Sequence, residues 1–106
     1  DNKNGINGSI IDNSNNGIDI NISQTAAYPN PADAQLTFTF ESNVSSFGTI
    51  TVSDALGRVV FDDKVLISDE ENKFLINTDH FANGIYYIRV TVANQAEKTI
   101  RFLKAR

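Results

Sequence analysis

"DHFANGIYYIRV", residues 79–90, decides how the rest of the chain is read. From Ile85 the residues alternate, with Tyr86, Ile88, Val90 and Val92 on one side and Tyr87, Arg89 and Thr91 on the other. A period of two belongs to a strand with one face in a core and the other in water. Phe81 and Gly84 stand five and two residues before Tyr86. That is the spacing of a tyrosine corner, whose hydroxyl bonds the backbone a few residues upstream and pins a crossover in Greek-key sandwiches. His80 is the only histidine and has no cysteine beside it, so it reads as a loop residue next to the corner rather than a metal ligand.

Working outward, the same period recurs. "LTFTF" (36–40) turns Leu36, Phe38 and Phe40 inward, and "TITVS" (49–53) turns Ile50 and Val52 inward. Further runs cover 59–67, with a bend expected at Asp62-Asp63-Lys64, then 73–77, and finally 99–103 with Ile100 and Phe102 on one face. "IDINI" supplies a possible first strand over residues 18–23, with Ile18, Ile20 and Ile22 on one side. Seven short alternating runs and no 3.6-residue period predict an all-β fold: a seven-stranded antiparallel Greek-key sandwich, immunoglobulin-like, behind a polar N-terminal lead.

Turn chemistry fixes the joints. "DALGR" (54–58) is a hairpin turn in which Gly57 takes a positive φ and Leu56 folds over the core edge. "SDEEN" (68–72) reads as a second hairpin tip whose acids form a solvated cap. "YPNP" (28–31) places two prolines, with φ near −65° and no amide hydrogen, after residues that proline pushes into extended geometry. Tyr28, Pro29, Asn30 and Pro31 are therefore expected to form a stiff extended rod that ends any pairing by the lead and delivers Leu36 to the core. The Tyr28–Pro29 bond is a candidate for the cis form, because a tertiary amide cuts the trans preference to under about 1 kcal/mol.

At 106 residues the chain is a single domain at most. A body over residues 26–106 buries roughly 60% of its unfolded surface, enough for one thin core but not for a deep cleft as well. Nine scattered basic residues and a net charge of −4 leave no footprint for nucleic acid. There is no cysteine, and no apolar run long enough to cross a membrane as a helix. Asp1 is not an initiator methionine, which suggests a piece of a longer protein.

Residues 1–25 form a polar, turn-rich lead; thirteen of the first 17 residues are Asn, Asp, Gly or Ser, types that favour turns over regular pairing. A flexible linker is one reading. The other is a calcium loop at Asp12–Gly17, although its twelfth position is Ser23 where a bidentate acid is wanted. Asn7, Asn21 and Asn43 fit the N-glycosylation pattern, as chance alone allows in so Asn-rich a chain.

Taken in order, "YPNPA" (28–32), "VSDALGRVV" (52–60), "INTDHFANGIYYIRV" (76–90) and "KTIRFLKAR" (98–106) resemble the type A C-terminal sorting domain of the type IX secretion system of Bacteroidetes. The resemblance covers about residues 26–106. It implies a secretion label rather than an enzyme, with no cofactor. A passenger on the N-terminal side would pass through the periplasm and cross the outer membrane to the cell surface or beyond. The implied partners are outer-membrane components of the system and a sortase-like protease that cuts in the lead before Tyr28. Family recognition carries over to the tail Lys104, Ala105 and Arg106. Where the family usually has leucine before Gly-x-Tyr this chain has Phe81, and alanine interrupts its basic tail. An adhesive or carbohydrate-binding sandwich is the alternative; it would rely on Tyr28 and Tyr87, since no tryptophan is present.

Overall fold

The computed structural model describes residues 19–105. Its elements are β1 (Ile22–Tyr28), β2 (Gln35–Ser42), β3 (Ser46–Asp54), β4 (Val59–Ile67), β5 (Glu70–Asn77), β6 (Gly84–Val92) and β7 (Ala96–Lys104). Two sheets form, with orders β1-β2-β5 and β4-β3-β6-β7, and every strand pair within them is antiparallel. The alternating residues build the core as expected. Leu36, Phe38, Phe40, Ile50, Val52 and Ile88 are all essentially closed to solvent. Each such side chain contributes about 1.5–3 kcal/mol relative to exposure.

The tyrosine corner is present. The Tyr86 hydroxyl donates to the Ala82 carbonyl at 2.6 Å, and its ring is buried. Gly84 reaches φ +153°, a value that L side chains rarely adopt. The β3–β4 hairpin also forms as read, with Gly57 at φ +88°. Asp54 organises this turn: its Oδ1 accepts from the Leu56 and Arg58 main-chain amides at 3.0 and 2.9 Å, and its Oδ2 accepts from Arg58 Nε at 2.8 Å. The Arg58 amide, above all, holds the Asp54 carboxyl below its usual range; desolvation opposes it, and the Arg58 side chain and the Leu56 amide add to the lowering.

Several expectations are corrected. The first strand lies at residues 22–28 instead of 18–23, so it spans the junction expected at residue 25; Ile18 is outside the described residues, as is the calcium reading at Asp12–Gly17. Gln24 to Tyr28 carry no apolar alternation, but an edge strand is held by main-chain bonds, and small Ala27 fits opposite Phe38. The segment at 68–72 is no hairpin tip. β4 and β5 belong to different sheets, so Ser68 and Asp69 cross between them. Buried Asn72 brackets this crossing, accepting from Ser68 N at 2.8 Å and donating to Ser68 O at 2.9 Å. Leu56 points to solvent, 86% exposed, because the Asp54 turn projects beyond the sheet end. β4 is continuous through Asp62–Lys64; its irregularity lies nearer Val60, between the Val52–Phe61 and Ser53–Val59 pairs.

The proline segment is bent, not an extended rod. Residues 29–31 are a run of bends, and both the Tyr28–Pro29 and Asn30–Pro31 bonds are cis. They turn the chain from β1 across the end of β7 before it enters β2.

Candidate functional site

The bends at Pro29 and Pro31 bring three main-chain and side-chain contacts onto the last strand. Asn30 Oδ1 accepts from Leu103 N at 3.0 Å, Ala32 N donates to Leu103 O at 2.7 Å, and Ala105 N donates to Ala32 O at 3.0 Å. Ala32 itself is fully buried and forms a parallel bridge with Lys104. Residues 30–32 therefore act as a short extra strand along the outer edge of β7, and they link the two sheets at one end of the body.

Below this clamp the strand is held by its side chains. Tyr86 stacks between Phe81 and Phe102, with ring centroids 5.1 and 5.5 Å away and tilts of 29° and 19°. The corner tyrosine thus joins the β5–β6 connection to the terminal strand, a link that aromatic contacts reinforce beyond their buried area. Thr78, also fully buried, secures the neighbouring loop: its amide donates to Ala34 O at 2.9 Å and its hydroxyl to Asp33 O at 2.7 Å.

The tail residues carried over from the family separate. Lys104 closes β7 and is only 1% exposed, Ala105 is half-buried, and Arg106 lies outside the described residues. What the end of β7 offers to a partner is its outer face, where Leu103 lies beside Ile85 and Arg101 beside Tyr87. Ile85, Tyr87 and Leu103 are each about two-fifths exposed. A hollow of about 390 Å³ runs between Asn30, Pro31, Ile85, Arg101 and Leu103.

Of the remaining structural residues, Gly57 sits in a turn remote from the clamp in sequence, while Gly84 pairs with Lys104 itself. Tyr28 ends β1 on the outer face of the three-stranded sheet; Tyr87 lies on the outer face of the four-stranded one. They do not form a common platform for a sugar. Among the described residues no group of three or more potential metal ligands gathers, and no helix is long and apolar enough to cross a membrane.

Sequence reasoning singled out the YPNP stretch but missed its partner. The Asn30–Leu103 bond joins residues 73 apart and leaves no local pattern. The one available signal was an asparagine between two prolines, a side chain held by stiff neighbours and free to bond elsewhere.

A comparison with curated proteins gives no match. A protein-family comparison matches the secretion system C-terminal sorting domain over residues 26–104, from within β1 to the last residue of β7. Because that match takes in both sheets, the corner and the clamp, the chain belongs to the family of C-terminal sorting domains of type IX secretion.

Proposed function

We propose that this domain is a non-catalytic label, read as a folded body, that takes an N-terminal passenger from the periplasm across the outer membrane. Its family membership over residues 26–104 carries the reading. The geometry adds how the label is presented. The tail is fastened to the body by Asn30 and Ala32, beside a contact face of Arg101, Leu103 and Ile85 that the pairing of β6 with β7 builds. In this arrangement Lys104 supports the tail from within, and outer-membrane components touch the residues around it. A sortase-like protease then cuts in the polar lead before Tyr28. The sheet orders β1-β2-β5 and β4-β3-β6-β7, with the crossing at Ser68–Asp69, support an immunoglobulin-like Greek key as the scaffold.

The test uses a full-length cargo in a secreting cell. Removing Phe102 to Arg106 should leave the cargo in the periplasm, but Phe102 is core, so this deletion also removes the fold. Removing only Ala105 and Arg106, or making Leu103→Glu, separates the two effects. The expected outcome is a domain that unfolds within a few degrees of the parent by circular dichroism yet is displayed poorly. Normal surface display of both milder variants would overturn the proposed contact face.

A further inference from the structure

The two sheets are unequal, and the difference leaves a gap. β1 lies against β7 at one side of the sandwich, where Ala32 and Lys104 bridge the sheets. Strands are spaced about 4.8 Å apart, so three strands laid over four from that side run out before β4. Burial follows this geometry. The inward residues of β3, Ile50 and Val52, are at most 1% exposed, whereas on β4 Phe61 and Val65 are half-buried and Asp63 is exposed. Phe74, on the inward side of β5, is also only half-buried. Phe61, Val65 and Phe74 pack against the core from its uncovered margin.

The wall of this gap is an open strand edge. Thr78 N bonds Ala34 O across the β2–β5 pair, so the alternation of an antiparallel ladder turns the main-chain groups of Glu71, Lys73, Leu75 and Asn77 away from β2. No described strand pairs with that side of β5. The other edges are defended in known ways. β1 is irregular between Ser23 and Ala26, β4 is irregular near Val60, and the end of β7 is taken by Asn30 and Ala32. β5 pairs in unbroken register over Glu70–Asn77, and its inward positions Asn72, Phe74 and Ile76 carry no charge.

We infer that the gap beside β5 is a docking slot for one extended strand of a partner protein, which adds as a fourth strand to the smaller sheet and covers the inner face of β4. The floor dictates the chemistry of the occupant. Phe61, Asp63 and Val65 follow one another at every second position on β4, an apolar–acid–apolar row. Asp63 makes no ion pair or side-chain hydrogen bond among the described residues. Asp69, Glu70 and Glu71 stand at the start of β5, where they line a hollow with Asn21, Ser23 and Glu41, so the charge that meets an occupant of the slot is Asp63. Packed sheets keep their strands within about 30° of one another, so a strand crossing this floor meets it with side chains at i, i+2 and i+4. Its complement is apolar–x–basic–x–apolar, with main-chain bonds giving affinity and the central cation giving selectivity.

The 106-residue chain, isotopically labelled, is titrated with the blocked peptide Thr-Val-Thr-Lys-Thr-Val-Thr and with its Glu-centred counterpart. The Lys peptide should shift the amides of Lys73 and Leu75 and slow their hydrogen exchange, and the Glu peptide should bind about tenfold more weakly. Methylating alternate peptide amides should abolish binding, because no strand ladder can then form. Asp63→Lys changes an exposed side chain and should reverse the preference, with the circular dichroism unchanged. Equal binding of the two peptides, perturbations centred on the β7 edge, or an unaltered preference in Asp63→Lys would overturn the slot. So would a concentration-dependent dimer that protects Lys73 and Leu75 without peptide, since a second copy would then be the occupant. Failure here leaves the export reading untouched, because cargo display does not enter this measurement.

Discussion

Single residues set the tolerances of this small body. Gly48, in the middle of a three-strand crossing, has no room for a side chain: a Cβ there would lie 2.6 Å from the Thr91 carbonyl and 2.8 Å from Ile67 Cγ1. The first neighbour is main chain and cannot swing aside, so Gly48→Ala should cost about 1–3 kcal/mol, the usual range for overpacking. Chemical denaturation with an unchanged slope would register it as a lower midpoint. Asp54 works through charge instead. Its folded pKa lies below the ordinary aspartate value, so its ionised form stabilises the hairpin. That contribution is complete above the unfolded pKa and is lost as the pH falls through the folded one. The amide shifts of Leu56 and Arg58 should therefore titrate together with a midpoint below that of an ordinary aspartate, and in Asp54→Asn this transition should disappear.

At the scale of elements, the strands were legible and the connections were less so. Leu36, Phe38 and Phe40, or Tyr86, Ile88 and Val90, announce their strands because alternate burial leaves an alternate sequence. β1 shows the limit: Ser23 to Ala27 are small or polar, and only pairing with β2 makes them a strand. The crossing at Ser68 looked like a hairpin because a turn between sheets and a turn within one use the same residues. What distinguishes them, the bracket that Asn72 places around Ser68, depends on burial supplied by distant strands. The clamp on β7 was hidden for the same reason. Asn30→Ala removes the acceptor for Leu103 N and should speed exchange of that amide by about tenfold, the equivalent of about 1.4 kcal/mol. The Tyr86 and Ile88 amides, held by the ladders of β6, should exchange as before. Equal acceleration throughout β6 would mean that Asn30 stabilises the whole body rather than the tail.

For the whole molecule, label and scaffold share their atoms. Phe102 is 1% exposed, stacks on Tyr86 and sits one residue from the proposed contact at Leu103. Truncating such a ring to alanine costs about 3–5 kcal/mol. A small domain has about 5–15 kcal/mol in total. Phe102→Ala should thus lower the unfolding temperature sharply and abolish cargo display together, whereas Leu103→Glu should affect display alone. Thermal melts run beside surface-labelling assays would separate the two, and a Phe102→Ala domain that melts like the parent would contradict the stacking described for Tyr86.

The bond between Asn30 and Leu103 has a further consequence during synthesis. A ribosome makes the asparagine some seventy residues before the amide it must meet, and β6 has nothing to pair with on one side until β7 emerges. Pairings so far apart in sequence also form slowly, because a long loop must close before any contact rewards it. The passenger, translated first, has that whole interval to settle while its export badge is still unfinished. Chains that stop before β7 never acquire the badge, because the same few contacts that shape this strand depend on its having been made.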